Sequence, residues 1–271
     1  MKADLHTHST ASDGTDSPAE LARKGRAAGL EVMALTDHDT LDGTPDFLQA
    51  FGSGGLAGIE VCAPSPKGSL HLVGLGVNGG YAPLLEALAW VRGQRKQRAA
   101  TMLERIQEQR IDISLDEVLQ YVGPGGVLAR PHFARTLMEK GYVSSIAEAF
   151  ERYLGAGKPC YVPNEHLPSK EYIDLFHQAG GVAILAHPYF WSENPDELAA
   201  GVARLQSEGL DALEAYYTGY GQGQVLDLLH LANRFHLAVS IGSDYHGLNK
   251  PSVHLGALPD TECVTVLDLL K

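Results

Sequence analysis

The sequence predicts an α/β fold: a barrel of the TIM type, built from β/α units and interrupted by a small helical insertion. Three observations carry this. Short apolar runs alternate with helix-start signals along most of the chain. Polar residues able to hold metals or move protons recur just after those runs, and barrels of this type gather their chemistry at the strand C-termini. Residues 82 to about 165 break the alternation and read as helices only. A doubly wound open sheet is the rival, but no glycine-rich phosphate loop follows the first strand.

Lys2 to Thr7 reads as the first strand. Its side chains alternate, so Asp4, His6 and His8 share one face while Leu5 and Thr7 take the other. Two imidazoles at i and i+2 can bind one cation from one side. Asp13 follows in a polar turn and can curl back to a neighbouring cation. A lone His-x-His also suits a surface strand, so its weight rests on the rest of the chain.

Ser17, Pro18 and Glu20 then form the N-cap, N1 and N3 of a helix that ends at Gly29. Val32 to Leu35 is the next strand, followed by Thr36-Asp37-His38-Asp39. Leu56 to Ile59 is followed by Glu60, and Leu70 to Val73 encloses His71. Val182 to Ala186 precedes His187-Pro188, Leu213 to Tyr217 contains Glu214, and Leu237 to Ile241 leads into Gly242-Ser243-Asp244-Tyr245-His246. Asn194 and Pro195 open a helix between two of these runs.

The insertion starts with a long helix, Pro83 to Arg110. Ser114 caps a short helix with Glu117 at N3, Pro131 to Lys140 is a third with Pro131 at N1, and Ser145 begins another that stops at Gly155. The domains expected are a barrel of residues 1–81 and 166–271 and a helical insertion of residues 82–165. Arg92, Arg95, Lys96 and Arg98 form the most basic stretch, and a solvated helix face is the ordinary reading of such a run.

The 271 residues are 44% hydrophobic, enough for one sizeable core with or without a small subdomain. With 33 acidic and 21 basic residues the net charge is −12, which argues against a protein that coats nucleic acid or binds duplexes stably. An anionic substrate stays open, because bound cations can supply a local positive field. Three widely spaced cysteines, Cys62, Cys160 and Cys263, do not suggest a disulfide framework. No apolar run reaches transmembrane length, and the first residues lack a signal-peptide pattern, so a cytoplasmic protein without membrane contact is expected.

The candidate site residues are His6, His8, Asp13, His38, Glu60, His71, His132, His187, Asp244 and His246. Each has an ordinary reading alone; nearly all fall at expected strand ends on one barrel face. The motifs Asp4-Leu5-His6-Thr7-His8-Ser9, Thr36-Asp37-His38-Asp39 and Gly242-Ser243-Asp244-Tyr245-His246-Gly247 resemble those of the PHP (polymerase and histidinol phosphatase) metal-dependent phosphoesterases. Arg130-Pro131-His132-Phe133-Ala134-Arg135 and Gly155 to Pro163 resemble the branch of that family containing 3′,5′-nucleotide bisphosphate phosphatases and a 5′-to-3′ exoribonuclease.

That resemblance implies a distorted (β/α)7 TIM-like barrel with an inserted α-helical subdomain and two to three divalent ions, of the Mn²⁺, Fe²⁺ or Zn²⁺ type. One ion is expected on His6, His8, Glu60 and Asp244. Glu60 would bridge to a second, completed by His71 and His132. A third would take Asp13, His38 and His246. A hydroxide between the bridged ions is the expected nucleophile. His187 is the candidate acid for the leaving group, with a supporting hydrogen bond as its other reading. Arg130, Arg135 and His187 are the candidate substrate contacts. Arg135, at i+3 from His132 on a helix, suits a second phosphate. Together these give a phosphoesterase acting on a nucleotide or short oligonucleotide, a nucleoside 3′,5′-bisphosphate or a 5′-phosphorylated RNA end. Cleavage of a C–N bond, as in amidohydrolases, and a non-catalytic metal-stabilised module are the alternatives.

Overall fold

The computed structural model describes residues 1–65, 68–122, 128–163, 165–260 and 262–270. Among these, seven strands form one sheet in sequence order: β1 (Ala3–Asp4), β2 (Val32–Leu35), β3 (Gly55–Ser65), β4 (Gly68–Leu75), β5 (Val182–Leu185), β6 (Ala212–Tyr217) and β7 (Ala238–Gly242). The two edges meet. Leu5 N–H donates to Ile241 O at 3.0 Å and His8 N–H to Tyr245 O at 2.9 Å, so the sheet closes into a distorted barrel.

Two features depart from the alternation expected of the sequence. β4 runs antiparallel to both β3 and β5, so one strand of the barrel is reversed. β3 also continues well past Glu60. Its parallel pairing with β2 ends at Leu35 opposite Ala57, and only an isolated bridge joins His38 to Glu60 beyond that point. From there β3 is held by β4, with Glu60 opposite Val73 and Cys62 opposite His71. Glu60 therefore still stands where the parallel part of the barrel stops.

The chain divides into two compact units, Met1–Ala87 with His166–Lys271, and Leu88–Glu165. In the first, Leu5, Ala34, Leu75, Ile184 and Ile241 pack with the C-terminal Val266 in one buried cluster. A second cluster places α1 (Pro18–Ala27) and α2 (Thr44–Phe51) on β2 through Leu21, Met33, Leu35, Phe47 and Phe51. α1 carries the expected capping box, with Ser17 and Glu20 bonded reciprocally.

The helical unit takes most of α3 (Ala82–Glu108), then α4 (Leu115–Leu119), α5 (Arg130–Glu139) and α6 (Ile146–Ala149), the last continued by a π-helical turn at Phe150–Leu154. It has its own core of Met102, Ile106, Val118, Phe133, Leu137 and Leu154. α5 begins one residue earlier than expected. Its N-cap is Ala129, which puts Pro131 at N2 and His132 at N3. The basic run on α3 is not wholly solvated, because Arg98 Nε donates to Val162 O at 2.9 Å. α7 (Ser169–Gln178), α8 (Pro188–Trp191), α9 (Pro195–Glu208) and α10 (Gln222–Arg234) complete the barrel unit. No helix among the described residues is long and apolar enough to cross a membrane.

Candidate metal centre

Glu60 is the hub of the site. Its carboxylate is 1% exposed and meets five imidazoles. Oε2 lies 3.3 Å from His6 Nε2, 3.2 Å from His8 Nε2 and 3.1 Å from His38 Nδ1. Oε1 lies 2.7 Å from His71 Nδ1 and 2.9 Å from His187 Nε2. Asp244 Oδ1 adds to the first group, 3.4 Å from His8 Nε2 and 3.9 Å from His6 Nε2. Asp13 gathers a further one, with Oδ1 3.2 Å from His246 Nε2 and Oδ2 3.9 Å from His38 Nε2.

These residues fit bound cations. Donors held at about 2.1 Å around one ion stand roughly 3.0–3.4 Å apart, close to the spacings here. His6 Nε2 and His8 Nε2 are buried with no hydrogen-bond partner, which is costly unless something binds them. Three groups of ligand atoms converge: His8, Asp13, His38 and His246; His6, His8 and Asp244; His6, Glu60 and His187.

The electrostatics show how tightly these groups are coupled. Burial alone would push Glu60 up, but the charges of His38, His71 and His6 hold it well below the usual carboxylate range. Burial also opposes ionisation of Asp244, and His6 and His8 outweigh it, keeping the acid depressed. His8, buried and facing His246, falls to about 3 and stays neutral, the form that ligates. Burial lowers His71, but Glu60 and Cys62 lift it to about 10.

A supporting set orients these groups. Glu214 Oε1 lies 3.0 Å from His6 Nδ1, and its Oε2 accepts the His187 N–H at 2.6 Å. His187 needs that restraint, because its φ of 29° puts a non-glycine residue in the left-handed region. Asp244, at φ 55°, is held by its N–H on His6 O at 2.8 Å. Tyr217 donates to Asp244 Oδ2 at 2.9 Å, and Lys250 pairs with the same oxygen. Asp37 is not among the converging donors; it accepts from Ser9 N–H and from the hydroxyls of Ser9 and Ser12, tying down the loop that leads to Asp13. Gly242 is obligatory, since a Cβ there would lie 2.1 Å from Glu214 Oε1 and 2.3 Å from His6 Cβ.

Of the expected site residues, His6, His8, Asp13, His38, Glu60, His71, His187, Asp244 and His246 come together in the barrel unit. Arg130, His132 and Arg135 belong to the helical unit. There His132 Nδ1 accepts the Ala129 N–H at 3.0 Å, Arg135 lies over the Tyr121 ring at 4.6 Å, and Arg130 lies 5.6 and 5.5 Å from the rings of Phe150 and Tyr161. The sequence marks neither Tyr217, which only closes an apolar run, nor Lys250 as a site residue. His187 had a signal, an imidazole after an apolar run, but nothing in the sequence tied it to Glu60.

Comparison with known proteins agrees with this geometry. Residues 4–156 match the PHP domain. The chain is 35% identical over 248 residues to the 5′-3′ exoribonuclease Rnm of Escherichia coli, covering 90% of this chain and 84% of that protein. It is 28% identical over 260 residues to the 3′,5′-nucleoside bisphosphate phosphatase of Chromobacterium violaceum, covering 95% and 91%. Among solved structures, an amidohydrolase from Chromobacterium violaceum with bound sulfate superposes with a TM-score of 0.84 at 28% identity, covering 99% of this chain and 96% of that one. A Bifidobacterium adolescentis protein assigned as a metal-dependent phosphoesterase gives 0.80 at 31% identity, covering 98% and 96%. The chain belongs to the PHP-domain family and is a metal-dependent hydrolase of phosphoric esters.

Proposed function

We propose that this enzyme removes or cleaves a phosphate of a nucleotide-type substrate, either a nucleoside 3′,5′-bisphosphate or a 5′-phosphorylated short RNA. The observation that supports it best is Glu60, one buried carboxylate with three imidazoles on one oxygen and two on the other. Such a carboxylate can serve two ions at once. The names of the relatives, an exoribonuclease and a bisphosphate phosphatase, supply the substrate class.

On this reading two to three divalent ions would be held by His6, His8, Glu60 and Asp244; by Asp13, His38 and His246; and by Glu60 with His71 and His187. The imidazole and carboxylate donors suit Mn²⁺, Fe²⁺ or Zn²⁺. Such ions supply Lewis acidity towards a phosphoryl group and lower the pKa of water. The residues do the rest. Glu214 fixes the ring of His6 and the backbone of His187. Tyr217 and Lys250 orient Asp244. His187 is assigned here to Glu60, where its Nε2 already points, rather than to the leaving group. His132 is kept as a proposed additional donor. Arg130 and Arg135 are kept as proposed phosphate-binding groups because a guanidinium forks two phosphate oxygens.

The test is a phosphate-release and product screen of the purified protein, with elemental analysis of the same sample. The substrates are nucleoside 3′,5′-bisphosphates, mononucleotides and 5′-phosphorylated oligoribonucleotides. Turnover of the bisphosphate or the oligomer, with two to three ions per chain, is expected. Turnover confined to non-nucleotide esters, or to C–N bonds, overturns the substrate assignment.

A further inference from the structure

Beside the metal centre the barrel unit displays an aromatic ring with an open face. Phe190 is 67% exposed, in a short helix that starts directly after His187. A solitary exposed apolar side chain needs no explanation. Phe190 is not solitary: its ring centroid lies 5.2 Å from that of His187 and 5.3 Å from that of Tyr217, the residue whose hydroxyl holds Asp244. The Tyr217 contact is edge-on, at 82° between planes, which leaves most of the Phe190 ring to solvent.

The ring is also presented on a fixed support. On one flank Trp191 donates its indole N–H to Ser65 Oγ at 2.9 Å. Its ring lies so close to α9 that a Cβ on Gly201 would come within 1.6 Å. On the other flank Tyr189 donates its N–H to Tyr220 Oη at 3.1 Å, with the two rings 5.3 Å apart. Phe190 sits between two anchored neighbours, so its exposure is imposed by α8 rather than by a floppy loop. An apolar platform that needs no ordering on binding keeps the entropy cost of association low.

We propose that Phe190 is the base-stacking subsite of the enzyme, receiving the nucleobase of a substrate whose phosphate is held at the metal centre. The inference rests on the nucleotide reading above and adds where the base goes. Every nucleobase has a π face, so one exposed phenyl ring gives affinity without base identity; a processive or broadly acting nucleotide hydrolase needs that tolerance. Tyr217 cannot take this part, because it is buried and its hydroxyl is committed to Asp244.

The experiment uses the metal-loaded full chain with two probes, adenosine 3′,5′-bisphosphate and the matching ribose bisphosphate without a base. In the wild type the base-bearing probe is turned over with the lower KM. Phe190→Leu keeps an apolar side chain against His187 but removes the π face; Phe190→Trp keeps and enlarges it. For Phe190→Leu, the ratio of kcat/KM between base-bearing and abasic probes falls roughly five- to a hundred-fold, mostly through KM, the range found for a lost base–aromatic stack. Phe190→Trp holds or raises that ratio. Metal content, measured on the same samples, stays at the wild-type value in both. An unchanged ratio in Phe190→Leu overturns the stacking role while leaving the nucleotide reading intact. Parallel losses on both probes overturn it too, and show that Phe190 only covers His187. A wild type that turns over the abasic probe but no nucleotide removes the nucleotide reading and this inference with it.

Discussion

In the barrel unit, charged and polar side chains are buried together. His8 is wholly enclosed, Glu60 is 1% exposed, and both face other ionisable groups rather than water. In the helical unit, the acidic side chains of Glu117 and Glu148 stay partly exposed and act on the backbone beside them. Glu117 closes a capping box with Ser114, and Glu148 accepts from Ser144 N–H and hydroxyl at 2.7 and 2.6 Å. The interior of that unit is apolar, built on Phe133, Leu137 and Ile106. Burying a carboxylate among five imidazoles costs folding free energy unless cations or protons compensate, and the barrel is where that cost falls. The helical unit carries no such cluster among its described residues and obtains its order from apolar burial and local caps.

The largest effect expected of a change to either unit comes from Glu60→Ala. It removes the carboxylate on which both sides of the site converge. A fall of roughly 10²–10³-fold or more in kcat/KM is expected, with at least one ion lost by elemental analysis. Near wild-type turnover with full metal content would show that Glu60 is not the hub.

Phe133→Ala is the counterpart in the helical unit, at a position 1% exposed. Emptying that place costs about 3–5 kcal/mol. Hydrogen exchange is expected to speed up in α4, α5 and α6 while the amides of β2, β5 and β7 keep their protection. Equal acceleration everywhere would mean that the two units unfold as one.

The smallest effect is at the surface of the helical unit. The donors of Ser144, with Arg152 at 2.7 Å, pull Glu148 down to about 2. A depressed acid stabilises the fold above its unfolded value, near 4.3, and that contribution is lost as the pH falls towards 2. The side chain is open to water, so the loss is small and screened by salt. Carboxyl NMR should give a midpoint well under 4 that moves up on Ser144→Ala. A midpoint above 4 would show that this cap is loose.

Much of the fold is legible in the sequence because its signals are local. An apolar run, a Ser-Pro-x-Glu start or an Asn-Pro pair depends on residues within one helical turn of each other, and those predictions match α1, α4, α9, β2, β5, β6 and β7; the first strand, expected over Lys2 to Thr7, is only Ala3–Asp4, and β3 runs on past Glu60 to Ser65. Most of the candidate site residues are legible for the same reason: polar residues follow the apolar runs at His6, His38 and Asp244. The reversal of β4 was not, since an apolar run looks the same in either direction.

The alternation of strands and capped helices, the helical insertion, and a set of imidazoles and carboxylates at strand ends are therefore written in the order of the residues. How they join emerges from folding. It placed His187 on Glu60, 127 residues away in sequence, and Glu214 on His6, 208 residues away. It also placed Phe190 in the open beside His187. The physical reason is distance along the chain. A donor set is complete only when the β1–β7 edges meet and the strand registers bring its members within a few ångströms, and no property of neighbouring residues encodes that closure.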